Sequence, residues 1–196
     1  MIDWIKVQTR LGIKADGIAG PLTYGALLAK VAGRTNTSTI GGPFSVHIPA
    51  YEVDANTNRL AAFIAQCGHE SDGFRYLREI WGPTKFQSGY DTRADLGNSQ
   101  PGDGMRFRGA GWIQVTGKYW FDKIGHQLGL DLIGNPDQTN DPNVATLISL
   151  EWWKLNGMNA IADSGDVQTV TRKINPGLLG LEDRKMLTQR ALEILA

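Results

Sequence analysis

The chain lacks the features of several common protein classes. Of its 196 residues only Cys67 is a cysteine, so no internal disulfide can form and no cysteine-rich metal site is possible. Its 20 Lys and Arg balance its 20 Asp and Glu, and without a positive excess we expect no nucleic-acid partner. No apolar run reaches the roughly 18 residues of a membrane span, so we expect no membrane insertion. With 41% hydrophobic residues the chain can still build a packed core, and we expect a monomer.

The chain also lacks the sequence features of a secretion signal, a zinc site and a nucleotide-binding site. The first ten residues include Asp3, Lys6 and Arg10, whereas a secretion signal needs an apolar centre, so we expect a protein made in soluble form. The 3 histidines lie far apart in the sequence, without the local spacing of a zinc site, and we expect no metal. No complete nucleotide-binding motif occurs, so the glycines at positions 109 and 111 are expected to serve a turn.

Apolar periodicity predicts a mainly α fold with one small β-hairpin. Leu60, Phe63 and Cys67 recur at helical spacing, and Asn56 precedes them as a cap. Further helices are expected over residues 4–11, 22–31, 119–128, 143–156, 167–174 and 187–195. Residues 112–116 alternate like a strand, which places Trp112, Gln114 and Thr116 on one face of the predicted hairpin.

A Thr- and Gly-rich stretch, residues 33–43, has no periodicity and predicts a linker. It divides the chain into a short helical segment, residues 1–34, and a larger domain, residues 44–196. Charge differs along the chain as well, because residues 1–45 carry five Lys or Arg and two Asp or Glu, a net +3.

Glu70 is the first candidate for chemistry. On a helical wheel it lies beside Phe63, on the flank of the stripe that faces the core. Contact with the core favours the neutral form of a carboxylate, which can donate a proton as a general acid. Alternatively, the helix ends early and Glu70 caps it or pairs with Arg75 or Arg78.

Glu79 follows nine residues later, beyond the break at Gly73, and so lies on a separate segment. An inverting glycosidase needs two carboxyls about 6.5–9.5 Å apart, one to protonate the leaving oxygen and one to activate water. The two glutamates could supply this pair. The alternative for Glu79 is a solvated surface charge beside Arg78.

The surrounding polar and aromatic residues suit a sugar ligand. Gln114 and Thr116 offer neutral hydrogen bonds to water and sugar hydroxyls, whereas Trp112 is expected to pack in the core. The polar loop over residues 81–111 offers aromatic rings as a carbohydrate platform: Trp81, Phe86 and Tyr90.

Several stretches together resemble glycoside hydrolase family 19, the chitinase-like family that includes bacteriophage endolysins. They are residues 61–71 (AAFIAQCGHES), residues 107–117 (FRGAGWIQVTG), and the shorter pieces 174–175 and 182–184. The resemblance covers residues 60–196. It implies a lysozyme-like, two-lobed helical domain that needs no cofactor.

By this resemblance, Glu70 is the general acid, Glu79 the general base and Thr116 the hydroxyl that holds the attacking water. The residues that resemble substrate-binding or supporting positions are Gln114, Asn175 and Arg184. These roles come from the family and assign residues 44–196 as its catalytic domain.

The phage endolysin branch is the most similar, because its acid also lies in a Gly-His-Glu-Ser context and its second glutamate also follows nine residues later. The chain departs from other members at two positions: Ala110 replaces an Arg that is often found in the family motif, and Trp120 lies where plant chitinases commonly carry Asn. This branch implies hydrolysis of bacterial peptidoglycan and lysis of the host cell. The enzyme would collect in the host cytoplasm and reach the wall after membrane permeabilisation. The alternatives are a chitinase on the same scaffold and a non-catalytic wall-binding or virion protein.

Residues 1–34 separately resemble a helical peptidoglycan-binding module, at about half its usual length. The similarity lies in residues 7–12 and 15–23. This segment could bind the wall, pack against the catalytic domain, or do both.

Overall fold

Helices account for most of the regular structure in the computed structural model, which describes residues 1–34 and 38–196. The α-helices are α1 (Trp4–Leu11), α2 (Pro21–Ala32), α3 (Ser38–His47), α4 (Thr57–Glu70), α5 (Asp103–Arg106), α6 (Lys118–Leu128), α7 (Pro142–Leu155), α8 (Met158–Ala162), α9 (Val167–Ile174) and α10 (Leu181–Leu195). Shorter 3-10 helices cover Pro49–Tyr51, Gln87–Thr92, Ala94–Leu96 and Pro136–Asn140. The prediction of a mainly α protein is confirmed. Within the described ranges, no helix has the length and apolar character to cross a membrane.

Local sequence determines where several helices begin and end. The side chain of Asn56 accepts a hydrogen bond from the Arg59 N–H (3.0 Å) and caps α4, as predicted. Pro21 opens α2, and Gly33, with φ of 66°, ends it in the left-handed conformation that glycine adopts readily. Asp166 caps α9 in the same way as Asn56 caps α4.

The predicted linker is wrong over its C-terminal part, where α3 begins at Ser38. Residues 35–37 of that linker lie outside the described residues. Ile40 and Phe44 are buried, so packing outweighs the low helix propensity of the glycines and of Pro43. Gly41 makes this possible, because a Cβ there would lie 2.1 Å from the Pro21 carbonyl oxygen of α2.

The predicted β-hairpin is also wrong, because the described residues contain isolated bridges and no strand at this position. Ala110 and Val115 exchange backbone hydrogen bonds of 2.9 and 2.8 Å across a turn. Gly111 and Gln114 have φ of 70° and 55°, so the intervening chain is not extended. Trp112 donates its backbone N–H to Ser149 Oγ of α7 (2.8 Å) instead of to a neighbouring strand. The common strand face predicted for Trp112, Gln114 and Thr116 therefore does not exist.

Backbone contacts divide the described chain into two units. One unit comprises Met1–Phe74 with Trp153–Ala196, and the other comprises Arg75–Trp152. In the first unit, α1 is tied to the end of α10, since Lys6 Nζ donates to the Ala196 carbonyl (2.7 Å). The assignment of residues 1–34 and 44–196 as separate functional segments stays a prediction.

The core of the first unit forms around α4, which packs against α2, α8, α9 and α10. Phe63 of α4 meets Trp153 edge to face, with ring centroids 5.2 Å apart. Near the N-terminal end of α4, Arg59 binds both carboxylate oxygens of Asp163, at 2.6 and 2.7 Å. These contacts hold the N-terminal end and the middle of the helix that carries Glu70.

The second unit depends on a buried guanidinium. Arg78 donates from Nη1 to the Pro136 carbonyl and to Thr139 Oγ1, both at 2.7 Å, and from Nη2 to the Arg106 carbonyl at 2.9 Å. Burial, and next the charge of Arg108, lower the pKa of Arg78 to about 10, so it stays charged at neutral pH. Arg78 thus fixes the backbone immediately before Glu79.

Candidate active site

The predicted site residues divide between the two units. Glu70, Asn175 and Arg184 belong to the first unit. The second unit contains the others: Glu79, Trp81, Tyr90, Gln114 and Thr116.

In the first unit, the structure brings Glu70 and Arg184 together. Glu70 is the last residue of α4, and its Oε1 accepts a hydrogen bond of 2.5 Å from Arg184 Nη2. The Arg184 side chain is 1% exposed, whereas that of Glu70 is 21% exposed. Glu70 therefore pairs with Arg184 of α10. One edge of its carboxyl group remains accessible to solvent.

Arg184 also binds two other groups around Glu70. Its Nη1 donates to Gln66 Oε1, one turn before Glu70 on α4, and its Nε donates to the Leu179 carbonyl at 3.2 Å. Gln66 in turn donates to Thr171 Oγ1 of α9 (3.0 Å). One guanidinium thus links α4, α9 and the loop before α10.

A second polar pair lies beside the first. His69 Nδ1 and Asp183 Oδ2 are 2.7 Å apart, so adjacent residues of α4 pair with adjacent residues of α10. The His69 ring lies against Gly180, where a Cβ would approach the ring to 2.0 Å. Asn175 shapes the same loop, because its Oδ1 accepts the Gly177 N–H at 3.1 Å.

In the second unit, Glu79 is held by hydrogen bonds to both carboxylate oxygens. Oε1 accepts from Gln87 Nε2 (2.9 Å), and Oε2 accepts from the Gly109 N–H (3.1 Å). The Glu79 N–H donates back to the Gly109 carbonyl at 2.8 Å. Glu79 is half-buried and fixed in orientation, unlike the freely solvated surface charge considered as the alternative.

Gln114 lies next to Glu79, with Gly109 between them. A Cβ on Gly109 would lie 2.6 Å from Gln114 Oε1 and 3.3 Å from Glu79 Cβ. The Gln114 amide donates to the Gly111 carbonyl (2.9 Å), and Thr116 Oγ1 donates to the Gln114 carbonyl (2.9 Å). Thr116 and Gln114 are thus joined through the turn and not through a strand face.

The aromatic residues of the loop form a cluster around Tyr90. Its ring centroid lies 6.0 Å from that of Trp81 and 5.4 Å from that of Phe86. Tyr90 is buried, whereas Phe86 is 69% exposed. Burial, and next the charge of Glu79, raise the pKa of Tyr90, which places its phenol near the candidate base. Trp81 and Phe86 supply the accessible aromatic surface.

Sequence reasoning missed Gln87, Gly109 and Gln66. Gln87 is a polar residue in a loop without periodicity, so nothing in the sequence marks it as buried. Gly109 was interpreted only as a turn residue. Gln66 lies in the predicted helix, but only the apolar positions of that helix were considered. Trp112 packs in the core as expected, where its Nε1 donates to Thr146 Oγ1 (2.9 Å). Across the described residues, no group of three or more His, Cys, Asp or Glu could hold a metal ion.

Comparison with known families identifies the family of the chain. The model of the glycoside hydrolase family 19 domain, described as chitinase class I, matches residues 36–171. The chain belongs to glycoside hydrolase family 19. It is therefore a glycoside hydrolase. The match contains Glu70, Glu79, Gln114 and Thr116 and ends before Asn175 and Arg184.

Relatives in family 19 differ in how much of their length the chain covers. A Haemophilus influenzae protein named as containing a family 19 domain is 30% identical over 166 residues, which span 71% of this chain and 80% of that protein. An Arabidopsis thaliana endochitinase is 34% identical over 129 residues, 65% of this chain and 42% of that enzyme. The chain thus spans less than half of this plant relative.

Solved structures of family 19 chitinases share the fold. Chitinase C from Streptomyces griseus superposes with a TM-score of 0.70 at 22% identity, over 90% of this chain and 93% of that one. The class IV chitinase from Zea mays gives a TM-score of 0.59 at 16% identity, over 96% of this chain and 90% of that one. At these identities the likeness concerns the fold alone.

Replacing Arg184 with Met should destabilise the protein strongly. The variant leaves the Glu70 carboxylate and the Gln66 carbonyl oxygen without their buried donor, and we expect a loss of about 3 kcal/mol in the free energy of unfolding. Urea unfolding measures it. Lys185→Met is the control, since Lys185 makes an exposed ion pair with Glu182, and it should cost under about 0.5 kcal/mol. Equal losses in the two variants would contradict the role given to Arg184.

Proposed function

We propose that the protein is an endolysin of the phage type, which hydrolyses β-1,4 glycosidic bonds of bacterial peptidoglycan. The observation that carries the proposal is the pair of anchored glutamates. Glu70 is bound by the buried Arg184, and Glu79 is bound through both oxygens by Gln87 and Gly109. Side chains held in this way keep the orientation that proton transfer requires.

Glu70 acts as the general acid in this proposal. Because Oε1 accepts the hydrogen bond from Arg184, the proton to be transferred is placed on Oε2. Donation of that proton to the glycosidic oxygen lets the leaving sugar depart as an alcohol. Arg184 then stabilises the carboxylate that remains, since it offers a charged hydrogen bond to it.

Glu79 acts as the general base. An ionised carboxylate offers about four lone-pair positions, and Gln87 and Gly109 occupy two of them. A water molecule can donate to a remaining position, lose its proton to Glu79 and attack the anomeric carbon. Thr116 is proposed to orient that water, and Gln114, Asn175, Trp81 and Tyr90 to bind or support the substrate. The reaction is a single displacement with inversion.

We further propose that residues 1–34 bind the cell wall. An open groove of about 490 Å³ lies between α2 and the loop that precedes it. Gln8 shapes this loop, since its Nε2 donates to the Ile18 carbonyl (3.0 Å) and its Oε1 accepts the Gly17 N–H (2.8 Å). Exposed Ile18 and Leu22 give the groove an apolar lining suited to N-acetyl and peptide methyl groups. The net +3 of residues 1–45 favours an anionic wall.

A phage endolysin acts from inside its host. We propose that the enzyme collects in the host cytoplasm and reaches peptidoglycan after the membrane has been permeabilised by another agent. The second candidate substrate is chitin, which is favoured by the relatives named as endochitinases. Both polymers contain β-1,4-linked N-acetylated sugars, so the same two carboxyls could serve either.

Sacculus digestion tests the catalytic roles. Glu70→Gln and Glu79→Gln should each slow the release of reducing ends from purified sacculi by about 100-fold or more, because each removes a proton-transfer group. Glu193→Gln, on the exposed side of α10, should retain full activity. Full activity in Glu70→Gln or Glu79→Gln would refute the corresponding role. Faster cleavage of chitin oligomers than of sacculi would favour the chitinase, and binding without release a non-catalytic protein.

Cosedimentation with sacculi tests the groove. Ala26 lines it, so Ala26→Glu places a charge on its wall, and binding should fall about tenfold. Val46→Glu adds the same charge at a residue that is 66% exposed on α3, outside the groove, and should leave binding unchanged. Both are measured in the Glu70→Gln background so that the sacculi stay intact. Equal binding by the two variants would contradict wall binding by this groove.

A further inference from the structure

The geometry points to Gln87 as a positioning residue that holds Glu79 in its ionised, water-accepting orientation and ties it to the aromatic loop. This inference rests on the proposed role of Glu79 as the base. Gln87 is the first residue of the 3-10 helix Gln87–Thr92, and it is buried although the residues on either side of it are exposed.

The amide of Gln87 has a partner for each of its polar atoms. Its Nε2 donates to Glu79 Oε1 at 2.9 Å and to the Ile80 carbonyl at 2.8 Å. Its Oε1 accepts the N–H groups of Gly82 (3.3 Å) and Thr84 (2.8 Å). The Gln87 amide therefore lies at the centre of the loop that follows Glu79, and both of its N–H hydrogens are used in hydrogen bonds.

This arrangement joins the base to the sugar platform. Trp81 lies in the loop that closes around the Gln87 amide, and Tyr90 belongs to the helix that Gln87 begins. The two rings contact each other with centroids 6.0 Å apart. A displacement of Gln87 would thus move both the platform and the hydrogen-bond donor to Glu79.

Other charged and titratable groups around Glu79 act on its backbone or from one side. Arg108 donates from Nε to the Glu79 carbonyl (3.1 Å), and the phenol of Tyr90 lies near the carboxylate. Arg78 directs its guanidinium to the carbonyls of Pro136 and Arg106. Gln87 is neutral and donates directly to Oε1. A neutral donor stabilises the ionised carboxylate, whereas a cation at the same place would lower its basicity further.

The pH dependence of kcat/KM tests this role in the intact protein. Gln87→Glu keeps the oxygen that accepts from Gly82 and Thr84 but replaces the donor to Glu79 by a second carboxylate. Repulsion between the two carboxylates favours protonation, so the acid limb should move to higher pH by about one unit or more. Gln87→Met removes the whole amide, and it should move the limb in the same direction and raise KM as the loop loosens.

The controls separate positioning from folding. Gln127→Glu introduces the same charge at an exposed residue of α6 and should leave the acid limb unchanged. Thermal unfolding identifies any variant that does not fold, in which case the other Gln87 variant decides. A uniform loss of activity with the limb at its wild-type pH would make Gln87 purely structural and overturn the inference. Wild-type activity in Glu79→Gln would instead refute the proposed base itself.

Discussion

The first unit and its candidate acid depend on the hydrogen bonds of one buried guanidinium, that of Arg184. It binds Glu70, Gln66 and the Leu179 carbonyl, and so connects the C-terminal end of α4 with the loop that leads into α10. A buried charge is tolerated only when its partners satisfy it, because desolvation costs several kcal/mol per ion. Glu70, the proposed acid, is therefore also a partner that Arg184 requires. Under this proposal, stability and proton transfer depend on the same carboxylate.

Glu79 is held in a different way, because it lies in a segment without a long helix or strand. Side chains replace regular secondary structure there. Arg78, which directly precedes Glu79, binds the Arg106 carbonyl, and Gln87 binds backbone groups that follow Glu79. Gly109 completes the arrangement, since a Cβ there would lie 2.6 Å from Gln114 Oε1 and force that side chain to shift. The orientation of Glu79 thus depends on a network of buried side-chain hydrogen bonds.

Local patterns predicted the parts of the fold that local interactions control. The apolar stripe of α4 and its cap Asn56 were sufficient to predict that helix, because both act within a few residues. The prediction of a hairpin at residues 112–116 was wrong, since Gly111 and Trp112 contact α7 and the strand pairing does not form. The prediction of a linker was wrong at α3, where Gly41 lets this helix approach α2 closely. The roles of Glu70 and Glu79 came from family motifs, whereas Gln87 could not be found because its loop has no periodicity from which burial can be inferred.

The central claim is that two anchored carboxyls of this family 19 enzyme act in one displacement, with Glu70 as acid and Glu79 as base. The anomeric form of the first product tests it most directly. Proton NMR during hydrolysis of soluble peptidoglycan glycan strands, before mutarotation, should show the α-anomer at the new reducing ends, because attack by water inverts a β-linkage. Initial formation of the β-anomer would indicate a covalent or otherwise retaining route and would contradict the account.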